Sequence, residues 1–142
     1  MIDVLFNSGT FKASYFKTVG SFVRRLSRWE KKILGEVEIN IVGDEVIQIL
    51  NKEYRGQDRV TDVLSFAWQE DKKISSKLLG QIFICYPQIK RQAKDYKVSV
   101  ESEFYRMLIH GLLHLIGYDH QNKADALKMF KKQDRILKKF IN

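Results

Sequence analysis

The sequence predicts an α+β fold with a small four-stranded mixed sheet and about five helices. Four short β-branched or alternating stretches are separated by segments in which apolar residues recur every three or four positions. One later segment is apolar around nearly its whole circumference, which is typical of a central, buried helix. The chain has one proline and no Ser/Gly/Pro-rich linker, so we expect residues 1–142 to form a single domain.

The strands are predicted from β-branched content and alternation. They are Ile2–Phe6, Val37–Val42, Val63–Trp68 and Gln81–Tyr86. The first helix is predicted from an apolar stripe at helical spacing, formed by Tyr15, Val19, Phe22, Leu26, Trp29 and Ile33. Asp44–Tyr54 and Gln88–Tyr96 are predicted as the second and third helices. The resulting order is β-α-β-α-β-β-α-α-α.

The central helix is predicted to run from about Glu101 to Ile116. Gly117 follows as its stop signal, because glycine adopts the left-handed conformation without steric cost. A last helix, at about residues 123–139, is expected to bury four apolar side chains and expose a basic face. The four are Leu127, Phe130, Ile136 and Leu137.

Composition limits the class of protein. Hydrophobic residues make up 44% of the chain, so it can bury a core. Cys85 is the only cysteine, which excludes an internal disulfide and fits a reducing compartment. The richest apolar run, Met107–Tyr118, is interrupted by two histidines and is shorter than the ~18 residues of a membrane span. The N-terminus lacks a signal-peptide pattern, so we expect a cytoplasmic protein without a membrane partner.

The charge is strongly positive and unevenly distributed. The formal net charge is +8, and residues 121–142 contribute +5 of it through seven Lys or Arg and two Asp. A basic helix face favours polyanions such as nucleic acid. Lys131 and Arg135 are therefore candidate substrate contacts, although a merely solvated helix face would show the same pattern.

All three histidines lie within eleven residues, in His110-Gly-Leu-Leu-His-Leu-Ile-Gly-Tyr-Asp-His120. Residues four apart share a helix face, with Cβ atoms about 5–6 Å apart, so His110 and His114 can reach one ion. His120 lies beyond Gly117, where the chain can turn back to present a third imidazole. Three imidazoles without an obvious fourth protein ligand are typical of a catalytic zinc site. The sequence therefore predicts one zinc ion per chain.

Two other interpretations of the same residues remain open: a metzincin-like metalloprotease or other zinc hydrolase, and a protein whose metal is structural. The spacing His-x3-His-x5-His is also the ligand frame of metzincin metalloproteases, which place a glutamate directly after the first histidine as general base. Gly111 stands at that position, which disfavours a protease, and close packing against a strand would explain this glycine. If Cys85 joined the histidines, four protein ligands would make the metal structural rather than catalytic.

Three segments of the chain together resemble a known family, the YbeY-type endoribonucleases, which are bacterial rRNA-maturation factors. The histidine segment resembles the family's signature. Tyr54-Arg-Gly-Gln-Asp-Arg-Val-Thr-Asp-Val-Leu-Ser-Phe66 resembles the family's segment ahead of its third strand, and Leu79-Gly-Gln-Ile-Phe-Ile-Cys85 is similar to its next strand. With length and element order, the likeness extends over essentially the whole chain.

This resemblance implies a zinc-dependent, single-strand-specific endoribonuclease that acts in maturation of ribosomal RNA, notably at the small-subunit RNA 3′ end, and in ribosome quality control. It implies ribosomal RNA or the small ribosomal subunit as partner, and a metal helix packed beside a four-stranded sheet. Carried over by position, His110, His114 and His120 are the zinc ligands. The non-catalytic alternative becomes a ribosome-assembly factor with a structural metal.

Three further residues are candidates for supporting roles in such a site. Arg55 matches the family's functionally important arginine, and its guanidinium can bind a phosphate bidentately; an ion pair with a nearby aspartate is the alternative. With His114, it is the predicted catalytic pair. Asp119, directly before the third ligand, could orient an imidazole, accept a proton or form a turn. Asp62 is a second carboxylate that could support the site or contact substrate.

Two positions depart from the family's pattern. Gln81 stands where the family usually shows aspartate, and Gln133 stands where its last helix usually shows glutamate. We expect neither side chain to touch the three histidines.

Overall fold

The computed structural model describes residues 2–67 and 78–141. The elements in chain order are β1 (Ile2–Asn7), α1 (Val19–Trp29), β2 (Gly35–Val42), α2 (Asp44–Arg55), β3 (Val63–Ala67), β4 (Leu78–Cys85), α3 (Tyr86–Tyr96), α4 (Val100–Leu115) and α5 (Lys123–Phe140). The predicted α+β class and the predicted order of strands and helices are confirmed.

The four strands form one mixed sheet in the order β1-β2-β4-β3. Strands β1, β2 and β4 are parallel, and β3 runs antiparallel along the outer edge of β4. Alternate side chains of β4 point to opposite faces. Ile82 and Ile84 belong to the main core, which includes α4, whereas Cys85 packs with Ile47 of α2 in a smaller cluster.

Helix α4 lies at the centre of the main core, as predicted from its circumferential apolar pattern. It packs against β3, β4, α3 and α5. The Ser99 side chain caps its first turn by accepting a hydrogen bond from the Ser102 N–H at 3.0 Å. Glycine at two positions lets this helix approach the sheet. A Cβ on Gly111 would meet Ile82 at 3.1 Å, and one on Gly80 would meet Leu115 at 2.6 Å.

Several predicted boundaries differ from the structure. The first apolar stripe is divided, because Tyr15 lies in a short 3-10 helix (Ser14–Thr18) and Ile33 lies past the end of α1, yet Ile33 is buried. The spacing of apolar residues predicts which side chains face the core. Such residues also occur in the segments before and after an α-helix, so the spacing alone does not define where the helix begins and ends. Helix α3 begins at Tyr86, earlier than predicted. Trp68, the predicted end of the third strand, lies outside the described residues.

The last helix also buries less than predicted. Ile136 is fully buried, whereas Leu127 and Phe130 are 55% and 44% exposed.

Residues 2–67 and 78–141 contain no helix that combines the length and the apolar composition required to cross a bilayer.

Candidate metal centre

Helix α4 places two histidines on one face. His110 and His114, one turn apart, have ring centroids 4.7 Å apart in an edge-to-face arrangement. Both side chains are partly buried, because the rest of the helix circumference packs into the core. The helix thus fixes two of the three predicted ligands in one orientation.

The turn after α4 brings the third histidine to the same place. Gly117 has φ of 105°, and the Tyr118 N–H donates to the Leu113 carbonyl at 3.0 Å, which closes the C-terminus of the helix as predicted. The chain then reverses, and the His120 ring lies 5.7 Å from that of His110 and 5.1 Å from that of His114.

The three imidazoles can hold one metal ion. One ring nitrogen of each histidine lies within 4.8 Å of the corresponding atoms of the other two. Among residues 2–67 and 78–141, this trio is the sole set of His, Cys, Asp or Glu with such spacing. Imidazole nitrogen is a ligand that suits zinc and several other transition metals.

Burial keeps these imidazoles in the form that binds a metal. Burial, together with the proximity of the other two rings, lowers the pKa of His114 to about 4. The pKa of His110 is lowered for the same principal reason, burial, and partly restored by a hydrogen bond from its ring. Neutral imidazoles offer a free nitrogen lone pair at neutral pH, so these two need not lose a proton to bind a metal.

Gln133 of helix α5 holds the ring of His110. Its Oε1 lies 2.9 Å from His110 Nδ1, and the Gln133 side chain is 1% exposed. Since a carboxamide oxygen can only accept, Nδ1 carries the proton and Nε2 is left for the metal. The expectation that neither glutamine touches a ligand is therefore wrong for Gln133. It holds for Gln81, which donates to Glu38 on the sheet at 2.7 Å.

Cys85 takes no part in the site. Its thiol donates to Asp44 Oδ1 at 3.2 Å in the cluster beneath α2, and burial raises its pKa to about 12. It does not belong to the histidine group. The interpretation in which Cys85 is a fourth ligand is therefore wrong.

The histidines lie at one side of a cleft of about 240 Å³. The other walls are formed by the end of α2, the segment that follows it and β3, and they include Asn51, Arg55, Gln57, Thr61, Asp62 and Ser65. No pattern in the sequence pointed to Asn51 or Gln57 as lining residues, because polar residues that line a cleft follow no sequence period.

Arg55 and Asp62 both reach this cleft. Arg55 Nη2 donates to the Ser65 carbonyl at 3.3 Å, and its positive charge contributes to lowering the pKa of His114. Among the described side chains, Arg55 forms no ion pair with Asp58 or Asp62. Asp58 instead lies 3.8 Å from Lys52. Asp62 accepts a hydrogen bond from the Val63 N–H at 2.7 Å. Within residues 2–67 and 78–141, Arg55 therefore presents its guanidinium to the cleft without a carboxylate partner.

The remaining candidates divide into one near the site and two away from it. Asp119 Oδ1 accepts from the His120 N–H at 2.7 Å and lies 3.5 Å from His120 Nδ1, so it shapes the turn and adjoins the third ring. Lys131 and Arg135 are exposed and do not line the cleft. At 100° per residue they lie on the side of α5 opposite Gln133.

Phe130 is a neighbour of the site that sequence analysis did not identify. Its ring stacks on that of His110 with centroids 6.5 Å apart and an interplanar angle of 24°. Its place in an apolar stripe indicated only a core residue.

Comparison with known proteins shows the family of the chain. The model of the family "Endoribonuclease YbeY" matches residues 7–141. The chain belongs to the YbeY endoribonuclease family. An Endoribonuclease YbeY of Staphylococcus carnosus is 36% identical over 96% of this chain and 93% of its own length. That of Macrococcus caseolyticus is 46% identical over 74% of this chain and 71% of its own.

A solved structure supports the fold of this YbeY-family chain. The solution structure of TM1509 from Thermotoga maritima superposes with a TM-score of 0.65 at 30% identity, and the match covers 99% of this chain and 89% of that one. Membership of the YbeY family makes this chain an enzyme of the nuclease class that hydrolyses RNA phosphodiester bonds.

Proposed function

We propose that this chain is a zinc-dependent endoribonuclease that cuts single-stranded RNA during ribosomal RNA maturation, notably at the small-subunit RNA 3′ end, and in ribosome quality control. We further propose that it acts in the cytoplasm on ribosomal RNA or the small subunit, as one domain spanning residues 1–142. The observation that carries this proposal is the convergence of three imidazoles, within 4.8 Å of one another, in a cleft that also holds Arg55.

The donor set suits zinc. Three histidines are the protein ligands of several catalytic zinc sites, whereas structural sites use four. Zinc held by these residues would lower the pKa of a bound water molecule towards ~7 and would polarise a phosphodiester oxygen. Gln133 supports this assignment, because a metal-binding histidine commonly donates its other ring N–H to an oxygen acceptor.

The residues of the chain itself supply binding and orientation. Arg55 is placed to donate hydrogen bonds to phosphate oxygens and to offset the charge that develops on them. Asp62 lines the same cleft and can orient a bound water or a ribose hydroxyl. The positive charge of Arg55 acts on His114 and helps to lower its pKa, so in this proposal His114 holds the metal beside the phosphate that Arg55 binds.

The two alternatives have less support. A metzincin-like protease needs a carboxylate after the first histidine, and Gly111 instead packs against Ser65 and Ile82. A non-catalytic assembly factor with a structural metal needs a fourth protein ligand, and Cys85 binds Asp44 instead.

Elemental analysis combined with an RNA-cleavage assay tests the proposal. We expect about one zinc per chain, cleavage of a single-stranded RNA, loss of cleavage with a chelator and recovery on addition of zinc. The variant His114→Ala should lose cleavage and bind less zinc while its circular dichroism is unchanged. The control Cys85→Ala, at a buried site away from the histidines, should keep its zinc.

Three results would contradict the proposal. Undiminished cleavage by metal-free protein would exclude metal-dependent chemistry. Cleavage of casein but not of RNA would favour the protease. Loss of zinc from Cys85→Ala, with no RNA cleavage by the parent protein, would favour the structural metal.

A further inference from the structure

Two segments, residues 17–32 around α1 and helix α5, together carry more positive charge than the whole chain. Residues 17–32 hold six Lys or Arg and one Glu, and α5 holds seven Lys or Arg and two Asp, so each segment carries +5. The net charge of the chain is +8, so all other residues together carry −2. We use the name α1–α5 basic surface for ten of the exposed cations of these segments, leaving out Lys17 and Lys123 at their N-terminal ends; the ten are Arg24, Arg25, Arg28, Lys31, Lys32, Lys128, Lys131, Arg135, Lys138 and Lys139.

Aromatic contacts join the two helices into one surface. Phe140 of α5 lies with its ring 6.1 Å from those of both Phe22 and Trp29 of α1. Arg25 lies 5.8 Å above the Phe140 ring, and Lys139 lies 6.0 Å above the ring of Trp29. Cations from both helices therefore alternate with aromatic rings along a single seam.

The positive charge of this surface is almost uncompensated. Within the described part of the chain, the one ion pair in this region joins Glu30 to Lys132, which also lies 5.5 Å above the Trp29 ring. None of the ten surface cations lies within 4.0 Å of a carboxylate in residues 2–67 and 78–141. Like charges held together by the fold repel one another, and a polyanion that binds them relieves this repulsion.

The dimensions fit a nucleic-acid backbone. Helix α5 has 18 residues and is therefore about 27 Å long. Lys128, Lys131, Arg135 and Lys138 recur once per turn along it, a spacing of about 5.4 Å. The exposed fraction of Trp29 is 37%, so part of its ring is available for stacking on a base or ribose.

This surface is separate from the cleft. None of its cations lines the cleft, and α5 presents Gln133 and Phe130 to the histidines from its other side. A contact of RNA with this surface therefore lies outside the cleft.

We propose that the α1–α5 basic surface binds the phosphate backbone of RNA outside the scissile segment. This inference rests on the proposed function only in taking RNA as the substrate. The surface contributes affinity for long RNA and takes no part in bond cleavage. A membrane is disfavoured as the partner, because interfacial helices bury a continuous apolar face. The exposed large apolar side chains of α1 and α5 are Trp29, Leu127 and Phe130, and Phe130 stacks on His110.

A matched pair of charge reversals tests the proposal. The double variant Arg28→Glu, Lys139→Glu changes the charge of the surface by −4, and Lys139 contacts the aromatic rings of Trp29 and Phe140. The control, Lys90→Glu with Lys94→Glu on α3, makes the same change, and Lys90 contacts the Tyr86 ring at 5.0 Å. Each pair is combined with His114→Ala, and binding of a single-stranded RNA of about 30 nucleotides is followed by fluorescence anisotropy against salt.

We expect the variant with Arg28→Glu and Lys139→Glu to bind RNA at least about 10-fold more weakly than the control variant. The slope of log K against log salt concentration should fall in magnitude by about 1.4, the value for two phosphate contacts on single-stranded RNA. With His114 intact, cleavage of a short RNA of about six nucleotides, which is confined to the cleft, should keep its kcat. Equal weakening by both pairs would show a general charge effect and overturn the proposal. So would unchanged RNA affinity with lost binding to phosphatidylserine vesicles, which would identify a membrane surface.

Failure of the proposed function gives a different result. If the parent protein cuts no RNA, the catalytic proposal fails, while the binding comparison in the His114→Ala background still tests the surface.

Discussion

The Oε1 atom of Gln133 lies 2.9 Å from Nδ1 of His110, and this contact links helix α5 to the face of helix α4 that carries His110 and His114. The side chain of Gln133 is 1% exposed, so water does not compete for the contact. The first ligand is thereby held in one tautomer and one orientation before a metal binds.

Gln133→Leu should weaken metal binding. Loss of the acceptor leaves the His110 N–H unsatisfied and the ring free to turn, and loss of such a contact typically costs about 10–100-fold in metal affinity. Gln133→Glu keeps an acceptor at this position, and a carboxylate accepts a stronger hydrogen bond than a carboxamide. This variant should therefore bind zinc at least as tightly as the parent. Competition with a chromophoric chelator measures both affinities, and equal affinity in all three proteins would show that Gln133 does not support the site.

Arg55→Ala should reduce RNA cleavage by about 100-fold, as expected for loss of one charged donor to a developing oxyanion. Its zinc content should stay that of the parent, because Arg55 is not a ligand. Arg55→Lys keeps the charge but loses the bidentate geometry, so it should recover only part of the rate. Steady-state kinetics that separate kcat from KM check this, and a loss of zinc from Arg55→Ala would mean that the residue supports the fold of the site instead.

Glycine substitutions test how closely α4 approaches the sheet. At Gly80 a Cβ would overlap the Phe66 carbonyl oxygen and a Leu115 methyl, so Gly80→Ala should destabilise the protein by about 3 kcal/mol. At Gly111 the nearest atom is Ser65 Oγ at 3.0 Å, and better helix propensity offsets part of the overpacking, so the net cost should be about 1 kcal/mol.

Gly43→Ala is the matched control for these two variants. Its Cβ would make ordinary contact with Phe11 at 3.5 Å, so the loss should stay below about 1 kcal/mol. Urea unfolding ranks the three variants. A Gly80→Ala protein as stable as Gly43→Ala would contradict the close approach of helix and sheet.

The ion pair of Glu30 with Lys132 should make the stability sensitive to acid. Burial opposes ionisation of Glu30, but the hydrogen bonds and positive charges of Lys132 and Lys32 outweigh it and hold its pKa below the ordinary value. The stabilisation is therefore complete above the pKa of the unfolded chain and is lost as the pH falls through the lower folded value.

Urea unfolding between pH 7 and about pH 3 measures this dependence. Glu30→Gln should flatten the acid side of the stability profile. Glu53→Gln, at an exposed position on α2, should leave the profile unchanged. A parent profile that coincides with that of Glu30→Gln would contradict the prediction.

Much of the fold follows from local patterns. Helix α4 carries apolar residues on all sides, so central burial was predictable, and the i, i+4 spacing fixed His110 and His114 on one face whatever the surroundings. Gly117 marked the turn that returns His120 to them. The metal-binding trio was therefore predictable, because helix geometry and one turn determine it.

Only the tertiary structure assigned Gln133, Phe130 and the α1–α5 basic surface. Gln133 is 23 positions from His110 and Trp29 is about a hundred from Phe140, and no sequence period relates residues on different helices. Such contacts depend on how helices pack over the sheet, which is decided by the summed burial of many side chains rather than by any short segment. The sequence by itself determined which side chains could bind a metal; the packing of α5 against α4 and α1 decided what orients those ligands and where the excess positive charge collects.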